Sequence, residues 1–257
     1  MLSNDNTCFI ILGSFAYAIV FKQLLRAADA NLPAGHLAQG GHLTHFYVYY
    51  LFKFVVYVTR KYSIMFEDFE HYLKHQLPEL TDKQLARIQS ISVSKTLPRR
   101  YCLLQEGEIC NQKIFVSAGL LRNFSAAEDG NEYNMKFTAE CEWTTDSESY
   151  HNRTPCHFSI ETIEPSKIII WTHEDFEQLR QEIPLVNVLS NQLIAKVLID
   201  SQKRVLVNIS ATAEEKYLDF MSSFPHIHRR LPLHMIASYL GVSRETLTRI
   251  RHAQLTR

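Results

Sequence analysis

PLHMIASYLGVSRETLTRIRHAQLTR, residues 232–257, reads as a helix, a tight turn and a second helix. Ala237 is small enough for two helices to cross closely, and Gly241, four residues on, can take the left-handed backbone of a turn. Leu247 and Ile250 then fall on the underside of the second helix. Ser243 stands where a helix N-cap belongs, which puts Arg244, Glu245, Thr246 and Arg249 on the first turns of that helix, with Arg251 just beyond. In a helix-turn-helix those turns enter the major groove of DNA. Arginine can donate two hydrogen bonds to guanine, and glutamate can accept from cytosine, so the side chains suit G·C pairs.

The competing reading is a terminal αα-hairpin whose charges are a solvated face. Charge distribution favours the first. From Ser223 onward there are six arginines (229, 230, 244, 249, 251, 257) against one acid, Glu245, an excess of 6 − 1 = 5, and four histidines besides. The whole chain balances 27 basic against 27 acidic residues, so the positive charge is local, as phosphate contact requires.

Upstream, residues 184–207 repeat Leu185, Val188, Gln192, Ala195, Ile199, Gln202 and Leu206 at alternating steps of three and four, the seam of a coiled coil. Leu189, Leu193 and Val197 form a second line beside it. One face can pack on the body of the protein and the other on a second copy; the alternative is a core helix of a monomer.

Between Val93 and Trp171 the pattern changes to short strand-like runs (YCLLQ, KIFVSAGLLRNF, NEYNMKF, HFSIETI, SKIIIW), broken at Glu106-Gly107-Glu108, Asp129-Gly130 and Pro165. Such spacing predicts a β-barrel or jelly roll. HEDFEQLRQE at 173–182 follows as a brief helix. Before the strands, FEDFEHYLKHQ and TDKQLARIQSI read as short amphipathic helices separated at Pro78, the second capped by Thr81.

Residues 1–64 differ from the rest. Their apolar runs, 8–21 and 46–58, fall short of the roughly 20 residues that cross a bilayer, and Lys53 interrupts the second. The stretch before the first run has no Lys or Arg, so a secretory leader is not expected either. Three readings stay open for this extension: a start placed upstream of the true one, an extra helical hairpin, and a two-span anchor that would make the protein a membrane-tethered sensor.

With 257 residues and 46% hydrophobic content the chain can build proper cores. Five cysteines (8, 102, 110, 141, 156) are an odd set without CxxC pairs, which argues against a disulfide framework or a zinc finger and for a reduced cytoplasm. Cys141, Cys156 and His157 read as strand residues rather than metal ligands. No metal and no cofactor is assigned.

N-terminal helices, a β-roll, a long helix and a terminal helix-turn-helix, in that order over residues 65–257, resemble the Crp/Fnr family of bacterial transcription regulators. SRETLTRI (243–250), the Gly241 turn, LLQEGE (103–108) and IFVSAGLLR (114–122) carry the resemblance. It implies an α+β protein: a sensory β-roll of the cyclic-nucleotide-binding type (65–183, a jelly-roll-like double-stranded β-helix), a dimerisation helix (184–209) and a winged-helix-like DNA-binding domain (210–257). It also implies base readout by Arg244, Glu245 and Arg249, homodimers on an inverted-repeat operator in double-stranded DNA, RNA polymerase as a further partner, and no enzymatic activity. Ser243, Thr246 and Arg251 complete the expected DNA-binding set.

The departures concern the effector. Cyclic-nucleotide binders of the family carry Gly-Glu and, about ten residues on, an arginine for the cyclic phosphate. Here the stretch is TTDSESYHNRTPCHFS, with Thr145-Asp146 in the first place and Cys156 near the second. Cyclic AMP is therefore not expected, and Asp146, Glu148 and Arg153 are the candidates for an unknown effector. Cys102 and Cys110 are too few for an iron–sulfur cluster. Pro232 stands where the family's first helix often carries a phosphate-touching hydroxyl, so that contact is not carried over. A cupin-like ligand-binding or enzymatic barrel is the alternative without DNA. It would want several converging histidines, and only His151 and His157 lie between 76 and 172.

Overall fold

The computed structural model describes residues 66–255; the apolar runs of 1–64 lie outside the described residues. Helix α1 is described from 66 to 76, and α2 (Asp82–Ser90) starts at the predicted cap. Thr81 Oγ1 accepts the amide of Gln84, whose side chain accepts the amide of Thr81, so two end donors are satisfied reciprocally.

Eight antiparallel strands follow: β1 (Val93–Leu97), β2 (Cys102–Leu104), β3 (Gln112–Ala118), β4 (Leu121–Ala126), β5 (Glu132–Thr138), β6 (Glu142–Thr144), β7 (Ser159–Thr162) and β8 (Ser166–Thr172). They form two four-stranded sheets, ordered β1-β8-β3-β6 and β2-β7-β4-β5. The strand order is that of a jelly roll, as expected. Between β6 and β7 the sequence reading missed a helix, α3 (Ser147–Asn152), started by the Asp146 side chain on the amide of Ser149. Six residues are too few to show a helical period.

Strand alternation sorts the apolar side chains into distinct cores. Ile114, Val116, Ile168 and Ile170 point into the roll with Leu104, Leu121 and Ile160. Their neighbours Phe115, Ile169 and Trp171 point out, into a layer made by α1, α2, α4 (His173–Glu182) and the start of α5 (Pro184–Ser210). Central strands buried on both faces explain why IFV and IIIW read as unbroken apolar runs. Polar ties fix the layer: Trp171 Nε1 donates to the carbonyl of Ile88 at 3.0 Å, and Arg87 grips Glu182 at 2.6 and 2.9 Å. The second sheet turns Leu120, Phe137 and Ile163 to a third core, shared with the C-terminal helices.

Helix α5 begins at Pro184, where a missing N–H costs nothing, and runs for 27 residues. Only Val186 and Leu189 in its first turns are buried, with Leu185 and Leu193 packed against the same cluster. Beyond them the seam side chains Val188, Ile199 and Leu206 stand exposed, as does Val197 of the second line. Ile194, Leu198, Val205 and Ile209, which the heptad reading did not include, are exposed too and widen the apolar surface. Among the described residues no single helix is long and apolar enough to cross a membrane.

The C-terminal unit is α6 (Ala213–Ser223), α7 (Leu233–Leu240) and α8 (Arg244–Leu255). Among described residues 211–255 there is no strand, so the unit is described by its helices alone. The segment 224–232, FPHIHRRLP, lacks the apolar alternation a wing strand needs, and Ile227 and Leu231 instead tuck under the helices.

Candidate nucleic-acid interface

Each feature that suggested a helix-turn-helix has a physical counterpart. Gly241 ends α7 in the left-handed region (φ 65°, ψ 36°), and the amide of Val242 returns to the carbonyl of Ala237 at 3.1 Å. Ala237 is buried where α7 meets α8, and Leu247 and Ile250 close the underside against Tyr217 and Phe220 of α6. Ser243 Oγ accepts the amide of Thr246 at 3.1 Å and thereby starts α8. Helix α6, which the sequence reading did not single out, opens with its own reciprocal cap between Thr212 and Glu215.

The upper face of α8 is open. Arg244, Glu245 and Arg249 line one shallow surface of about 370 Å³ together with Thr248 and His252. Those last two were missed, although 244, 248 and 252 follow the four-residue step of one helix face. Thr246 is half-buried, Ser243 is spent on the cap, and Arg251 is exposed but stands off that surface. Glu245 is held below the usual carboxylate range, first by its own backbone amide at the start of the helix and then by Ser243. It is an acceptor between two guanidiniums, a suitable pattern for base edges.

The unit is docked on the β-roll. Ser238 of α7 bridges the edge strand β5, donating to the carbonyl of Glu132 at 2.6 Å and accepting the amide of Asn134 at 2.9 Å. Arg230 spans Glu140 at 2.8 and 3.0 Å and Glu164 on the neighbouring turn. From α5, Arg204 lies 4.0 Å over the Tyr239 ring and donates to the carbonyls of Met135, Asn134 and Tyr239.

The three effector candidates each have local contacts of their own. Asp146 is buried, with Oδ1 capping α3 and Oδ2 without a hydrogen-bond partner among the described residues. Arg153 ends α3 in the left-handed region and donates to Asn111 Oδ1 at 2.9 Å, so it braces the loop before β3. Glu148 is exposed, 4.0 Å from His157 Nε2. Local structure uses each separately, which spacing in the sequence could not show.

The fold occurs among solved structures. The chain is similar to the c-di-GMP-responsive global regulator CLP of Xanthomonas campestris (TM-score 0.58, 14% identity, covering 68% of this chain and 92% of that one). It is similar to FixK2 of Bradyrhizobium japonicum (0.56, 17%, 65% and 85%) and to a Crp/Fnr-family transcriptional regulator of Eubacterium rectale (0.56, 18%, 70% and 86%). The chain has the Crp/Fnr fold. No protein-family model and no curated protein matches the sequence.

Proposed function

We propose that this protein is a sequence-specific DNA-binding transcriptional regulator that acts as a homodimer and is not an enzyme. The observation that carries the reading is the α8 face, where Arg244, Glu245, Thr248 and Arg249 share one open surface on a helix held by Ser243, Leu247 and Ile250. Double-stranded DNA is the partner that fits it, with RNA polymerase the further partner of a regulator at a promoter. Two copies related by a twofold axis read an inverted repeat with half-sites about 34 Å apart. Selection of bound DNA from a random pool by the purified protein tests this; recovery of no common sequence refutes it.

Arg249 and Arg251 separate base readout from charge. Arg249→Ala is expected to cost roughly 1–3 kcal/mol on the selected site and to relax preference at one base pair per half-site. Arg251 stands off the reading surface, so Arg251→Ala weakens specific and random DNA alike. Competition binding on both DNA types distinguishes them. An equal loss for both variants on both types would reduce α8 to a basic surface.

The β-roll does not take cyclic AMP in this reading. The Asp146 carboxylate already occupies the N-terminus of α3, where its charge opposes a second anion. Calorimetric titration with cyclic AMP is expected to show no micromolar site; one site per protomer would contradict the assignment.

A further inference from the structure

On the outer face of β3, away from α8, Lys113 is half-buried against α3 and α4. Its amine lies 3.9 Å from the centre of the Tyr150 ring and makes no hydrogen bond or ion pair among the described residues. Lys136 shows the usual arrangement for a lysine drawn out of water, donating to the carbonyl of Trp143 at 2.7 Å. Lys113 has no such acceptor. The nearby carboxylate, Glu177 of α4, accepts from the Tyr150 hydroxyl at 3.3 Å and from Arg180 Nη1 at 3.0 and 3.2 Å, so it is committed elsewhere. The rings of His151 and His173 flank Tyr150, with centroids 5.2 and 4.6 Å from its own.

Such a place favours the uncharged amine. Burial, with the Arg180 guanidinium in a lesser part, brings Lys113 down to about 8, although Cys110 and Glu177 pull the other way. At pH 7 about a tenth of such an amine is uncharged, against on the order of one in a few thousand for a free lysine side chain. His151 is likewise held below the ordinary imidazole range, by partial burial and then by the Lys113 charge, so it adds no competing anion. Tyr150 is pushed up by burial and stays a neutral phenol. A desolvated amine next to another cation is a nucleophile near neutral pH. The product is favoured if it turns that repulsion into attraction. Arg180 uses Nε on Asn187 and Nη1 on Glu177, while Nη2 has no hydrogen bond among the described residues and can receive an oxyanion. A small neutral electrophile that leaves an anion on nitrogen meets both conditions, and carbon dioxide is one.

We propose that Lys113 is a modification site at which carbon dioxide adds reversibly to the amine, and that Arg180 receives the resulting carbamate. The Nζ lone pair attacks the carbon, an N–C bond forms as one C=O pair moves onto oxygen, and the proton displaced from Nζ goes to water. Nothing is oxidised or reduced, and no second reactant is consumed. The exchange of a cation for an anion acts on a defined joint. Arg180 Nε donates to Asn187 Oδ1 at 2.7 Å and Asn187 Nδ2 donates to the Arg180 carbonyl at 2.7 Å, which ties the end of α4 to the first turns of α5. A carbamate that draws on Arg180 therefore bears on the start of the long helix. The site does not depend on the function proposed above.

The test uses the full chain equilibrated with isotope-labelled carbon dioxide, trapped with triethyloxonium, which ethylates a carbamate oxygen, and mapped by mass spectrometry of its peptides. Trapped label on Lys113 is expected at least about tenfold above that on the exposed Lys95 and Lys196, in line with its larger uncharged fraction. Lys113→Arg keeps the charge and is expected to lose the label at that position. Arg180→Gln, checked for folding by circular dichroism, is expected to lower it severalfold. A second readout needs no variant. The rate at which trace acetic anhydride labels Lys113 is expected to level off near pH 8, because the amine is uncharged above that value, whereas a free lysine side chain in the same tube gains reactivity to beyond about pH 10. No trapped label on Lys113, or no more than on Lys95 and Lys196, overturns the proposal whatever the labelling rate. An undiminished yield in folded Arg180→Gln overturns the role given to Arg180. Selection of DNA by the same protein reports on α8 separately, so the two readings fail independently.

Discussion

Ile199→Glu is expected to convert the protein from dimer to monomer at concentrations where the wild type is fully associated. Ile199 is 63% exposed in the single chain, in the middle of the apolar row that runs from Val188 to Leu206. The first turns of α5 are covered by the layer around Trp171, but Ile194, Val197, Leu198, Val205, Leu206 and Ile209 are not. Monomeric proteins rarely leave so continuous an apolar strip on a helix of about 40 Å. In the proposed homodimer the cover is a second copy of α5 with the same repeat, since a twofold axis brings like positions together. A glutamate at 199 then places two like charges in an apolar seam. The cost is roughly 3 kcal/mol or more, on the order of a hundredfold in dissociation constant. Because the side chain is exposed in the protomer, the fold itself is expected to survive. Sedimentation of both proteins with a circular-dichroism control reads this directly. A wild type that is monomeric throughout would remove the homodimer from the proposed function.

What the sequence showed depended on whether a residue's role is local. The α8 cap at Ser243, the Gly241 turn and the Thr81 cap are contacts within four residues, and each was readable as a pattern. Strands β3 and β8 announced themselves because burial on both faces leaves an apolar run that no loop would carry. Long-range polar contacts gave no such signal. Arg122 looks like any strand arginine until Glu132 and Glu161 arrive from the two neighbouring strands, and Arg230 looks like DNA-facing charge until Glu140 and Glu164 meet it. The count of arginines after Ser223 therefore overstated the charge available to DNA, since Arg230 is spent on the β-roll. Nor did nearness in sequence show the local contacts that Asp146, Glu148 and Arg153 each make around α3.

Gly119→Ala is expected to destabilise the fold by several kcal/mol and to loosen the DNA-reading unit as well. Gly119 sits between β3 and β4 at φ +102°, a backbone state that side chains with a Cβ rarely adopt. Space is a second obstacle. A Cβ there would lie 2.7 Å from the Cα of Ser166 and 2.3 Å from its Oγ, and the former is backbone in β8 that cannot swing aside. Either the β3–β4 connection or the start of β8 must shift, at a cost of about 3 kcal/mol or more. The shift would propagate along named bonds. The amide of Gly119 donates to Glu140 Oε1 at 2.9 Å, and Ser166 Oγ donates to the carbonyl of Glu164 at 2.8 Å. Glu140 and Glu164 are the two carboxylates that hold Arg230 and, through it, the segment leading into α7. Thermal unfolding is therefore expected at a clearly lower temperature, and protease cleavage between α6 and α7 below that transition is expected to be faster than in wild type. Glu140→Gln, which keeps the backbone turn but weakens the grip on Arg230, separates the effects: it should accelerate the cleavage with little change in the melting temperature. Equal cleavage rates for wild type and both variants would show that the glutamate pair does not hold the helix-turn-helix to the β-roll.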